Sequence, residues 1–184
     1  KKSKDHILRA INSGVFDFGE NYAQEALEKI ETLKKECKLT WHFIGPIQSN
    51  KAAKIAQNFD WVQSLDREKI ALKLNDNRGS KNDALNICIQ VNLSGESTKS
   101  GVAIDQVEDL CGIVEKLPNL NLRGLMAIPA PESNFKIQRD KYRELSNKFN
   151  DLQKIYPSID VLSIGMSNDY EAAIAEGSTM VRLG

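Results

Sequence analysis

The stretch DVLSIGMSNDYEAAIAEGSTMVRLG, residues 160–184, decides how the rest of the chain is read. Residues 161–164 form a short β-branched and apolar run, the pattern of a buried strand. Gly165, Met166 and Ser167 make a turn of little side-chain bulk. Asn168 with Glu171 three residues later is a capping-box pattern, and Tyr170, Ala173 and Ile174 then recur at helical spacing. A turn of this kind offers backbone N–H groups and the positive end of a helix dipole above the strand, which suits a phosphate. The plainer alternative is a strand–turn–helix unit that binds nothing. Residues 179–183 read as a further strand carrying Arg182 inside an apolar run, where a charge needs a partner.

Working outward, the same alternation fills the chain. Strand patterns fall at 15–19, 40–44, 61–65, 85–91 and 122–128, which with the two above makes seven. Helical patterns lie between them. Asp5 is placed to cap a helix with Ile7, Leu8 and Ile11 inward, and Ala23, Ala26, Leu27, Ile30 and Leu33 form the next stripe. Ser49 opens a helix burying Ala52, Ala53, Ile55 and Ala56. Asp66 is placed to cap one burying Ile70, Ala71 and Leu74, and Asp105 one burying Val107, Leu110, Cys111 and Val114. A long amphipathic helix presents Ile137, Leu145, Phe149, Leu152 and Ile155. Residues 75–83 and 93–102 are polar and read as loops.

Strands that alternate with helices build a parallel sheet with covered faces. An open doubly wound sheet and a (β/α)8 barrel both fit. The barrel requires one strand more than the seven found. Because the sequence begins on a helix, that first strand is expected just upstream of Lys1, and the barrel is the reading taken, as a single domain over residues 1–184. Ligand chemistry then belongs at the carboxyl ends of the strands, with a phosphate near the last two.

Composition narrows the function. The 184 residues include 25 basic and 25 acidic side chains, so no overall field favours nucleic acid or an anionic membrane. Cys37, Cys88 and Cys111 are dispersed, and His6 and His42 are the two imidazoles. This argues against a disulfide framework or a zinc site and favours a reducing, cytoplasmic setting. No run is long enough to span a bilayer.

The motifs FGENYAQE, WHFIGPIQSNK, VNLSGESTKSGV, GLMAIPAP and GMSNDYEAA followed by GSTMVRLG resemble, in order, those of the pyridoxal 5′-phosphate homeostasis family, the barrel proteins similar to the N-terminal domain of alanine racemase. The likeness covers essentially the whole chain. It implies a pyridoxal phosphate carrier or buffer without robust catalysis, affecting vitamin B6 and amino-acid balance. It further implies a monomer, with pyridoxal-phosphate-dependent apo-enzymes as recipients.

By the same resemblance, Met166, Ser167 and Gly184 receive the phosphate and Arg182 lies near the pyridine nitrogen. There a cation opposes ring protonation and weakens the ring as an electron sink. Asn21, His42 and Met126 line the ring's surroundings. The lysine that bonds the aldehyde is expected immediately before Lys1, or as Lys1 itself. From the residues alone, His42 is equally a strand-end residue satisfied by backbone, Met126 and Met166 plain packing, and Lys99 either a second cationic partner or a solvated loop lysine. Glu20 has no second carboxylate at a spacing suited to acid–base work. The competing functions are a racemase, which needs an opposed base, and a cofactor-free phosphosugar enzyme on a similar barrel.

Overall fold

The computed structural model describes residues 3–34, 38–79, 83–94 and 100–184. Seven strands form one parallel sheet in sequence order. They are β1 (Asp17–Glu20), β2 (Thr40–Phe43), β3 (Trp61–Leu65), β4 (Leu85–Gln90), β5 (Leu120–Met126), β6 (Val161–Met166) and β7 (Met180–Arg182). The helices are α1 (Lys4–Asn12), α2 (Ala23–Leu33), α3 (Ala52–Asn58), α4 (Glu68–Arg78), α5 (Val107–Val114), α6 (Phe135–Ile155) and α7 (Tyr170–Ala175). Each strand from β1 to β6 is followed by a helix before the next, as a parallel sheet demands.

The sheet is curled. Gln63 on β3 reaches Ser163 on β6 at 2.6 Å and the Met180 sulfur on β7 at 3.1 Å. In a flat sheet β3 and β7 stand four strand spacings apart, roughly 19 Å, beyond the reach of any side chain. The strands therefore bend into a nearly closed barrel, the closure taken above in preference to the open doubly wound sheet. β1 and β7 each keep one unpaired edge, the gap an eighth strand fills in a (β/α)8 barrel. Burial agrees: β3 is buried at every position, whereas β1 alternates between exposed and intermediate and β7 is intermediate throughout.

Trp61, Cys88, Met126 and Val161, with Met180 beside them, fill the barrel interior. The main core lies between the sheet and the helices, from Ile55 and Phe59 on one side to Leu145 and Leu152 on the other. Among the described residues no helix is long and apolar enough to cross a membrane.

Several local expectations are corrected. α4 continues to Arg78 through part of the stretch read as a loop, because tertiary bonds outweigh its poor helix propensity. Asn75 accepts the Asn119 N–H, and Arg78 donates to the carbonyls of Ala56 and Phe59 at the end of α3. In α6 the inward ladder is Gln138, Tyr142, Leu145, Ser146, Phe149 and Leu152. Ile137 and Ile155 are exposed instead, the first one residue off that ladder and the second the last residue of the helix. None of the four expected cap residues serves as one. Asp5 lies inside the first turn of α1, Asp66 pairs with Arg67, Asp105 sits in a short 3-10 turn, and Asn168 yields the cap position of α7 to Asp169. Among the described residues the side-chain cap that does form is Asn134, accepting from Lys136 and Ile137 at 3.0 and 3.2 Å.

Candidate functional site

The last two strands bring the turn and the arginine together. Met166, the last residue of β6, is the register partner of Arg182, the last of β7. Two residues farther on, the Gly184 N–H points at Ser167 Oγ, 3.5 Å away. Gly165 makes the turn possible: its φ is +95°, and a Cβ there would stand 2.7 Å from that of Ala173.

Two side chains that the sequence reading missed pin this turn. Asp169 accepts the Met166 N–H on one carboxylate oxygen at 2.6 Å and the Tyr142 hydroxyl on the other at 2.8 Å. The Gly165 N–H is directed at the Tyr142 oxygen, and burial with the adjacent Asp169 pushes the phenol pKa far up. The turn's first two amides are thus engaged internally, which removes Met166 from the donors on offer. α7 has six residues, so its dipole adds little. The Ser167 hydroxyl and the Gly184 N–H lie side by side at the ends of the two strands. A cavity of about 250 Å³ opens on the α6 side of the turn, between Phe135, Gln138, Ser167 and Tyr170.

Arg182 is half-buried, and its guanidinium donates to the Ser163 carbonyl at 2.8 Å, the Ser163 hydroxyl at 2.6 Å and the Ala127 carbonyl at 2.9 Å. The partners its position required are neutral oxygens. No carboxylate among the described residues is hydrogen-bonded to it, and burial lowers its pKa despite the nearby charge of Asp169. It keeps a positive charge that the protein does not neutralise.

The other expected residues fall in three places. His42 points into the barrel, 3 % exposed, with Nε2 3.0 Å from Asp17 Oδ1, Nδ1 2.9 Å from Gln63 Nε2 and its ring stacked on Trp61. It is satisfied by side chains rather than by backbone. Met126 is fully buried in the interior cluster and reaches no surface. Asn21 is exposed where β1 leads into α2, and its carbonyl passes so close to Gly45 that a Cβ there would sit 2.1 Å from it. Glu20 is tied to Lys29. Lys1 and Lys99 lie outside the described residues.

Gln63, Ser163 and Tyr142 were legible in principle as polar groups inside apolar runs, WVQSL, VLSIG and the inward ladder of α6. Asp169 was not, because its neighbour Asn168 carried the better capping pattern.

Comparison with known proteins fits this geometry. Residues 5–184 match the family described as alanine racemase, N-terminal domain. The chain is 49% identical over 185 aligned residues to the pyridoxal phosphate homeostasis protein of Escherichia coli strain K12, covering 100% of this chain and 79% of that one. It superposes on PipY of Synechococcus elongatus PCC7942, a structure solved with pyridoxal phosphate bound, with a TM-score of 0.91 and 31% identity over 100% of this chain and 86% of that one. An alanine racemase from Clostridium difficile 630 shares the fold at 17% identity and a TM-score of 0.72, over 97% of this chain and 46% of that one. A barrel whose last two strands bring a small-residue turn and an unneutralised arginine together, matched along nearly its whole length, belongs to the alanine racemase N-terminal domain family and, within it, to the pyridoxal phosphate homeostasis proteins.

Proposed function

We propose that this chain binds pyridoxal 5′-phosphate at the carboxyl ends of β6 and β7 and holds it for cellular vitamin B6 balance rather than for robust catalysis. The observation that carries the reading is the juxtaposition of Ser167, Gly184 and Arg182 on adjacent strand ends. The donor set fits the group. Ser167 and Gly184 offer a hydroxyl and backbone N–H groups to a phosphate, and Arg182 offers a desolvated positive charge that lacks a carboxylate partner. When bound, pyridoxal phosphate supplies an aldehyde and an electron-withdrawing ring. Ser167 and Gly184 would hold the phosphate end, with the Tyr142–Asp169 pair keeping their turn from moving. Arg182 would set a positive field beside the ring nitrogen and so oppose its protonation.

A carrier role is supported by what three titratable groups near the strand ends and the turn are doing. Tyr142 is committed to Asp169, Glu20 to Lys29 and His42 to Asp17 and Gln63. An efficient racemase needs a base placed against the cofactor and free to move a proton. Buried free thiols at Cys88 and Cys111 accord with a cytoplasmic setting, and apo-enzymes that use the cofactor are its natural recipients.

Equilibrium dialysis with pyridoxal phosphate tests the reading. Uptake near one equivalent is expected, with Ser167→Ala weakening it about tenfold, the worth of one hydrogen bond to a charged group. Failure of the wild-type protein to take up the cofactor overturns the proposal. Racemisation of alanine at rates typical of enzymes overturns the carrier half of it.

A further inference from the structure

Five side chains form one hydrogen-bonded row across the barrel interior. Arg182 Nη1 meets Ser163 Oγ at 2.6 Å, Ser163 Oγ meets Gln63 Oε1 at 2.6 Å, Gln63 Nε2 meets His42 Nδ1 at 2.9 Å, and His42 Nε2 meets Asp17 Oδ1 at 3.0 Å. The row links β7, β6, β3, β2 and β1.

Counting donors and acceptors gives the row a single direction. A neutral imidazole has one nitrogen of each kind. Because the Asp17 carboxylate only accepts, Nε2 carries the proton and Nδ1 accepts. Gln63 must then present its NH₂ to Nδ1, which turns its carbonyl oxygen toward Ser163. The serine hydroxyl donates to that oxygen, leaving its lone pairs to receive Arg182. Every member donates to the next, from guanidinium to carboxylate, and each bond polarises its neighbours. Burial keeps the ring neutral, outweighing the opposite pull of Asp17 and Asp60.

We infer that Gln63 and Ser163 are positioning residues that fix the Arg182 side chain in the orientation the ligand of this site requires, with neutral His42 and Asp17 setting the direction of the row. The inference rests on the pyridoxal phosphate reading above. Three observations favour orientation over plain structure. A barrel interior is ordinarily filled by layers of branched apolar side chains, so a polar row here has no packing advantage. Asp17 is 67% exposed, so water screens its charge and it neutralises Arg182 little. An arginine side chain carries about 2 kcal/mol of rotamer entropy, and the row removes that freedom before any ligand arrives. Protonated His42 reverses the logic. Both ring nitrogens then donate, the Gln63 amide must swap ends, and its NH₂ competes with Arg182 for the Ser163 oxygen.

The test uses the full-length protein, ligand-free and loaded with pyridoxal phosphate. In the ligand-free protein, long-range proton–nitrogen NMR is expected to show His42 protonated at Nε2 with Nδ1 accepting; the opposite tautomer overturns the row's direction. Ser163→Ala and Gln63→Leu are each expected to weaken cofactor binding about tenfold and to shift the pH midpoint of the bound cofactor's absorption band, a change that simple loss of packing does not produce. Gln63→Glu, which can only accept from His42, is expected to leave the imidazole doubly protonated at neutral pH. Variants that fold and hold the cofactor with wild-type affinity and midpoint overturn this inference alone. A wild-type protein that takes up no cofactor overturns the functional reading first, and with it the ligand half of the inference, while the tautomer measurement still decides the row.

Discussion

Arg123 near the amino ends of the strands and Arg182 at the carboxyl end of β7 both sit among apolar strands, and they are satisfied in different ways. Arg123 makes a two-pronged pair with Asp160 at 2.9 and 2.6 Å, and its guanidinium lies 4.7 Å from the centre of the Trp61 ring. Its pKa is raised, chiefly by the hydrogen bond to Asp160. Arg182 meets two carbonyls and a hydroxyl, and burial lowers its pKa. One charge is cancelled within the protein and the other is kept. A desolvated cation with no carboxylate bonded to it is expensive, which is what the proposed binding role of Arg182 accounts for. The difference separates an arginine that ties the fold together from one that, on the proposed reading, meets the ligand.

Four measurements break or sharpen that contrast. Arg182→Met is expected to cost the largest effect, a loss of pyridoxal phosphate affinity on the order of a hundredfold, because on the proposed reading it removes the ligand's charged partner. Its melting temperature should move little. Unchanged affinity in dialysis would mean that both arginines are structural and that the contrast is empty. Gly165→Ala forces a side chain into the left-handed region and against Ala173, for about 2 kcal/mol of stability by urea denaturation. Its loss of cofactor should exceed what partial unfolding explains, since the strained residue opens the turn.

Arg123→Met is expected to cost about 1 kcal/mol, the sum of a partly exposed ion pair and a cation–π contact, with cofactor affinity untouched. A drop in affinity would show that the two ends communicate. The smallest effect is one of pH. Burial holds the folded-state pKa of His42 below the ordinary 6.5, so the unfolded chain takes up its proton first. The stability due to neutral His42 is complete above pH 6.5 and declines as the pH falls below it, through the folded pKa. One proton allows a slope of at most about 1.4 kcal/mol per pH unit. His42→Gln should flatten that part of the stability profile, and an unaltered slope would place the titration elsewhere.

Most of the architecture could be read from the chain because it rests on local patterns. The seven strand runs and the helical stripes between them follow from side-chain periodicity, and the positions of Ser167, Arg182 and Gly184 at strand ends follow from the order of elements. The failures share a cause. Asp66, Asp105 and Asn168 were assigned caps from residue type and spacing, whereas the structure gives their turns other partners. α4 outlasted its poor propensity because Asn75 and Arg78 found acceptors and donors on distant segments. His42 and Met126 are a different case: that they line a ring's surroundings stays part of the proposal, and the structure adds that they lie buried in the barrel, His42 between the side chains of Asp17 and Gln63 and Met126 against Trp61 and Cys88.

The sequence by itself determined the alternating parallel architecture and brought the turn and the arginine to neighbouring strand ends, because hydrophobic period and chain order are local properties that need no partner to be read. Only the tertiary structure decided which donors the turn has left to give, and which groups Arg182, His42 and Gln63 face. Those outcomes depend on the curvature that carries β3 across to β6 and β7, bringing together side chains a hundred or more positions apart, and no spacing rule reaches that far.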